Sequence, residues 1–138
     1  MRETRFVNAV GSSGQIEVLL TFPDEPPWWM SARIGDVEFA AQEPDLFECL
    51  SSIRIKLEGI GLHLCCQGAR PNVHPSGMSR QMSGGRKAYA WPTGGRVGMT
   101  QDDLVDILDH ADCQEVSTLD EQSQFLKNRY GWPSGAST

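Results

Sequence analysis

Ser76, His63, His74 and four cysteines are the side chains of this sequence whose types could do chemistry. Ser76 with His63 or His74 has the make-up of a nucleophile and its general base, a pairing that needs hydrogen-bond reach in space. Ser76 stands in Pro75-Ser76-Gly77, however, and not in the G-x-S-x-G elbow. No catalytic residue is assigned from it. His63-x-Cys65 would set two metal-capable groups on one strand face, with Cys49 or Cys113 as further donors. The cysteines form no C-x-x-C pair and fit no zinc-ribbon or finger spacing. Neighbouring Cys65 and Cys66 would bridge only with strain. All four cysteines are therefore read as buried thiols, and neither a metal nor a cofactor is expected.

Between two predicted strands lies Gly68 to Arg86, GARPNVHPSGMSRQMSGGR, which mixes glycines and prolines with basic and small polar side chains. Glycine-rich turns can point successive N–H groups at an anion, and arginines can add bidentate contacts. Arg70, His74, Ser76, Arg80, Arg86 and Lys87 are the residues such a loop would use. The segment carries neither G-x-G-x-x-G nor a Gly-Lys-Ser/Thr opening a helix. The competing reading is a packed connection in which Met78 and Met82 cover the core and the arginines pair with acids elsewhere.

Charge layout bears on that choice. Residues 1–58 hold ten acids and five bases, 59–101 hold no acid and five bases, and 102–138 hold eight acids and two bases. A basic middle between acidic ends is most simply explained by compensation across the fold. The net charge of −6 argues against nucleic acid as a general partner, because phosphate binding relies on clustered cations. It favours a basic protein partner.

The elements that must position these groups follow from periodicity. Arg5 to Val10 reads as a strand, Gly11 to Gly14 as its hairpin loop, and Ile16 to Phe22 as a half-buried strand of period two. After Pro23 to Pro27, Trp28 to Ile34 and Val37 to Ala41 flank Gly35-Asp36, a pair suited to a tight hairpin. Asp45 to Glu48 forms a capping box for a helix with Leu46, Cys49, Leu50, Ile53 and Leu57 on its inner face. Arg54 falls outside that stripe. Leu62 to Cys66 and Lys87 to Trp91 read as strands. Thr100 to Asp103 opens a second helix with Leu104, Ile107, Leu108 and Ala111 inward and Asp102, Asp106 and Asp109 outward. Cys113 to Ser117 reads as a short strand, and Thr118 to Glu121 caps a last helix reaching Tyr130.

The fold expected is α+β, an antiparallel sheet of about five or six strands packed by two or three helices. A single domain spans 1–132, with a frayed tail at 133–138. No apolar run approaches the roughly 20 residues that span a bilayer, and no apolar leader follows the first residues. A cytoplasmic protein with no membrane partner is expected.

Gly68-Ala69-Arg70, Val73, Pro75-Ser76-Gly77-Met78, Arg80, Met82 and Gly85-Arg86-Lys87-Ala88-Tyr89 resemble a segment of a group of small uncharacterised bacterial proteins. In size, acidity and class the chain also resembles immunity proteins of contact-dependent inhibition and other polymorphic toxin systems. That likeness has no motif and transfers no residue. It implies a non-catalytic protein that binds and neutralises a cognate toxin domain. The acidic set Asp102, Asp106, Asp109, Asp112 and Glu115 is the docking surface expected, since no lysine or arginine stands between Arg96 and Lys127. Trp28 and Trp29 beside Pro26-Pro27 are either interface anchors or core and sheet-edge cover. The alternative is an enzyme or ligand-binding protein whose segment 68–86 takes an anionic small molecule.

Overall fold

The computed structural model describes residues 1–91 and 103–130. Strands β1 (Arg2–Gly11), β2 (Gly14–Pro23), β3 (Trp29–Ile34) and β4 (Val37–Gln42) form an antiparallel meander. The short β5 (His63–Leu64) completes a five-stranded sheet of order β4-β3-β2-β1-β5. Both hairpin turns have two residues, Ser12-Ser13 and Gly35-Asp36, as the pairs Gly11↔Gly14 and Ile34↔Val37 show. Gly35 has φ 58°, the left-handed value its turn requires and glycine supplies without steric cost.

Period-two alternation decides which face is buried. Val7 and Ala9 of β1, Val18, Leu20 and Phe22 of β2, and Met30 and Ala32 of β3 point inward and are buried. They meet helix α1 (Leu46–Glu58), which contributes Leu46, Cys49, Leu50, Ile53 and Leu57. Burying one such aliphatic side chain contributes roughly 1.5–3 kcal/mol, so this layer carries most of the stabilisation. Asp45 caps α1 by accepting the Glu48 N–H at 2.8 Å, while the Glu48 carboxylate turns to Arg80. Arg54 is a correction. It is 2 % exposed and faces inward, four residues after Leu50 and three before Leu57.

A second sheet, of order β6-β7-β8, is built from Val73–His74, Lys87–Ala90 and Leu104–Asp106. The central segment is therefore not one long loop. It contains a 3-10 turn (Gln67–Ala69), strand β6 and a short helix α2 (Gly77–Ser83). Gly68 sits so tightly that a Cβ there would lie 2.6 Å from Leu50 Cδ2 and 3.0 Å from Ile107 Cβ. Gly84 combines φ +63° with the Trp28 ring, which would lie 2.2 Å from an added Cβ. Both glycines are there for close approach, and neither leaves a nest open.

Helix α3 (Leu119–Tyr130) closes the described chain. Its expected capping box is complete: Glu121 N–H donates to Thr118 Oγ1 at 3.1 Å and Thr118 N–H to Glu121 Oε1 at 2.8 Å. The helix expected from Thr100 through Ala111 is overturned. Residues 104–106 are a strand paired with β7 in the register Lys87↔Asp106, followed by turns. Ile107, Leu108 and Ala111 are buried as expected, but their three- and four-residue spacing serves a strand and turn. Cys113 to Ser117 is turn and coil in place of a strand. Asp102, Thr100 and the tail at 133–138 lie outside the described residues. No helix among the described residues is long and apolar enough to cross a membrane.

Candidate functional site

The basic groups of the central segment are turned to the fold's own acids. Arg86 Nε donates to both Asp106 carboxylate oxygens at 3.0 Å, and its other nitrogens reach Glu3 at 3.2 Å. The guanidinium also lies 5.0 Å from the centre of the Phe22 ring. Arg86 thus ties β1 and β8 through one planar fork, the geometry arginine favours with carboxylates. Burial opposes the ionised form of Asp106, but the Arg86 bonds and the Leu108 N–H outweigh it and hold the carboxyl below its usual range. Arg80 bonds Asp45 and, at 3.2 Å, Glu48. Arg70 donates to Gln67 Oε1 at 2.8 Å. Lys87 is exposed. Compensation across the fold therefore accounts for Arg80 and Arg86.

Ser76 and His74 also have structural duties. Ser76 Oγ accepts the Ser79 N–H at 3.1 Å as the N-cap of α2. His74 Nε2–H donates to the Pro71 carbonyl at 2.9 Å, and its ring stacks on Phe125 with centroids 6.4 Å apart. Burial pushes the imidazole down to about 4, helped by Arg80 and Arg54 and opposed by the Pro71 bond. His74 is thus neutral at ordinary pH. It lines a groove of about 420 Å³ between α1 and α3, with Phe47, Ile55, Arg80, Leu119 and Lys127. Met78 and Met82 do not cover the core: they are 74 % and 82 % exposed on α2.

The cysteine reading needs a larger correction. Cys65 and Cys113 form a disulfide across a sequence separation of 48, while Cys49 and Cys66 are free and buried. Spacing offered no signal for this pair, because tertiary packing brings the C-terminal segment back to the end of β5. The disulfide also consumes the donor that a His63-x-Cys65 metal site would need. Burial pushes the Cys66 thiol up to about 11, and the same cause raises Cys49 to about 11.

Arg54 forms a second feature hidden from the sequence reading. Its guanidinium donates to Gly68 O at 3.3 Å, Gln122 Oε1 at 2.6 Å and Ser117 O at 2.8 Å. Gln122 Nε2 in turn donates to the carbonyls of Gly68, Arg70 and Val73, each at 3.0 Å. One buried cation and one amide thereby join α1, the central segment and α3. Burial lowers the Arg54 pKa from its ordinary value, with Glu58 acting the other way.

What remains outward is an acidic strap, residues 109–121. Asp109, Asp112, Glu115, Asp120 and Glu121 are all exposed. Asp109 pairs with Arg5 at 3.0 Å, Asp112 Oδ1 accepts the Gln114 N–H, and Glu121 belongs to the capping box. Of the expected docking acids, Asp106 is turned to Arg86, whereas Asp109, Asp112 and Glu115 lie on the strap. Asp120 and Glu121 extend it and were missed because the sequence reading placed them in a cap alone. Trp28 and Trp29 are half-buried, Trp28 over Gly84 and Trp29 on β3 opposite Gln42.

The strap is pinned by backbone bonds. Gln67 N–H donates to Asp109 O, Gly68 N–H to Ile107 O, Ala111 N–H to Cys65 O and Ser117 N–H to Ala69 O, at 2.8–3.2 Å. Such a segment presents carboxylates from an ordered backbone, which lowers the ordering cost of docking a partner. No protein-family model matches the chain, and no curated protein matches it.

Proposed function

We propose that this chain is a non-catalytic binding protein, and specifically an immunity protein that covers the basic, nucleic-acid-cleaving face of a cognate toxin domain. The observation that carries the reading is the ordered acidic strap 109–121, whose exposed carboxylates have no lysine or arginine among them. A fixed negative surface speeds encounter with a basic partner, suppresses wrong partners and fixes register. Ser76 as a helix cap and His74 bonded to Pro71 support the non-catalytic part, since both groups already serve the fold. In this reading the protein works in the bacterial cytoplasm, where Cys65 and Cys113 meet a reducing thiol pool. Capture from the source cell's lysate with this chain as bait, washed at rising salt, tests it. One basic protein held stoichiometrically and released by salt is expected; retention of none, or only of acidic proteins, contradicts it.

The alternative of an anionic small-molecule ligand rests on the groove that brings His74 and Arg80 together. Its charge is largely balanced within the protein, because Asp45 and Glu48 already hold Arg80. It predicts ligand-induced thermal stabilisation that Arg80→Ala abolishes.

A further inference from the structure

The bonds that pin the strap leave one stretch to the disulfide. Backbone bonds hold Ile107, Asp109 and Ala111 on one side and Ser117 on the other. Between them, Asp112 to Val116 forms a turn closed on itself, Glu115 N–H to Asp112 O at 2.8 Å and Gln114 N–H to Asp112 Oδ1 at 2.9 Å. Cys113 stands in that turn and is half-buried, whereas Cys65 is fully buried at the end of β5. Cys113 is therefore the more exposed of the two half-cystines. It lines a shallow hollow of about 230 Å³ with His63, Val116 and Glu121.

We propose that Cys65–Cys113 is a reversible thiol–disulfide exchange site that locks the turn Asp112–Val116 of the strap onto the sheet. A thiolate of a small dithiol or of glutathione attacks Cys113 Sγ. The S–S bond breaks, its electron pair leaves on Cys65 Sγ, and that sulfur takes a proton from solvent. A second thiol then attacks the mixed disulfide and releases Cys113 as a thiol. Two electrons and two protons pass from the reductant to the cystine. The reverse step uses oxidised glutathione. Re-formation is intramolecular, because the bonds at Ala111 and Ser117 keep Cys113 beside Cys65 when both are reduced. Neither Cys65 nor Cys113 belongs to the buried apolar cluster between α1 and the first sheet, so reduction removes no side chain from it.

The surroundings give the exchange a charge preference. Asp112 and Glu115 lie one and two residues from Cys113, and Glu121 shares its hollow, with His63 as the facing titratable base. An anionic thiol approaches against that field and a cationic one with it. The exchange chemistry is independent of the immunity reading; only its consequence for partner binding rests on it.

The test uses the full oxidised chain under native conditions, treated with dithiothreitol, alkylated and read by mass spectrometry together with amide hydrogen exchange. Native-state alkylation of Cys113 but not of the buried Cys49, Cys65 or Cys66 is expected, with Cys65 found as a free thiol on later denaturation, and with amide exchange at least about tenfold faster confined to 112–116 and reversed by oxidised glutathione. Cysteamine should reduce the bond about tenfold faster than glutathione at low salt, with the gap closing as salt rises. Cys113→Ser should show the same local exchange as the reduced protein. The proposal is overturned if reduction requires global unfolding or deprotects β1 to β4. It is equally overturned if oxidised glutathione leaves four free thiols, or if Cys113→Ser keeps 112–116 protected. Equal rates for the two thiols would refute the charge preference.

Discussion

The meander with α1 and the segment from Gln67 to Tyr130 are held together by different physics. The first is a layer of alternating strand residues on an apolar helix face, Val18, Leu20 and Phe22 against Leu50, Ile53 and Leu57. The second also has apolar anchors, Val73, Ala88, Ile107 and Leu108, but polar links set where its pieces go. Arg54 and Gln122 join four of its carbonyls, those of Gly68, Arg70, Val73 and Ser117, Arg86 joins Glu3 to Asp106, and a disulfide fixes the turn at Cys113. An apolar frame is insensitive to salt, pH and redox state. A surface positioned by ions, carbonyls and a cystine responds to all three, which suits the proposed role of presenting charge to a partner.

The largest effect expected is in the frame. Leu20→Ala should cost about 3–4 kcal/mol, by lost burial and the cavity left behind, with the same loss at low and high salt. Arg54→Ala should cost about 3 kcal/mol by leaving the Ser117 carbonyl and the Gln122 amide oxygen without the donor they have, while Gly68 O keeps Gln122 Nε2. Urea titration of both variants gives the contrast. If Arg54→Ala is neutral, the second region is held by its apolar anchors alone.

A smaller effect follows from His74. Its folded pKa of about 4 lies below the ordinary value of 6.5. Its contribution is then fully present above the ordinary value, and is lost as pH falls from there to the folded value, where the unfolded chain alone binds a proton. The loss over that window is roughly 2–3 kcal/mol. His74→Phe, which keeps a ring beside Phe125, should flatten stability between those two pH values. A variant retaining the full slope would assign it to other groups.

The smallest effect concerns Arg86. Arg86→Met should cost about 1 kcal/mol at low salt and less at high salt, because the fork to Glu3 and Asp106 is only partly buried. The Asp106 carboxyl titrates below its ordinary range when folded, so its contribution is lost as pH falls through that depressed value. Removing Arg86 should therefore also reduce the acid-side loss of stability. Thermal melts across acid pH and salt measure both.

These differences also explain what the sequence made legible. Strands β1 to β4 follow from their alternation and the turn at Gly35-Asp36 from its glycine, α1 follows from Asp45 and its apolar stripe, whereas Gly11 and Gly14, read as loop, are paired ends of β1 and β2. The cap at Thr118 is equally local. Residues 104–111 satisfy a helical stripe, yet pairing of β8 with β7 and the bonds of Ile107 to Gly68 and Arg86 draw them into an extended path. Here tertiary context overrides a local period. Arg54 was legible in retrospect from its spacing to Leu50 and Leu57, but its charge directed the reading outward. Nothing local marks Cys65 and Cys113 as partners. Of the acids expected to dock, Asp109, Asp112 and Glu115 are exposed as the sequence reading placed them, whereas Asp106 is held by an arginine twenty residues away.

The docking role of the strap is tested most directly by comparing two baits, the wild-type chain and Asp112→Lys/Glu115→Lys/Asp120→Lys, in quantitative capture from the source cell's lysate. These three carboxylates are exposed and none joins a described salt bridge; Asp112 gives up one local bond, from the Gln114 N–H, so the fold outside that turn should survive reversal. The account predicts one basic protein retained by the wild type and lost by at least about a hundredfold from the reversed bait. Equal retention by two folded baits would contradict it and move the interface off the strap.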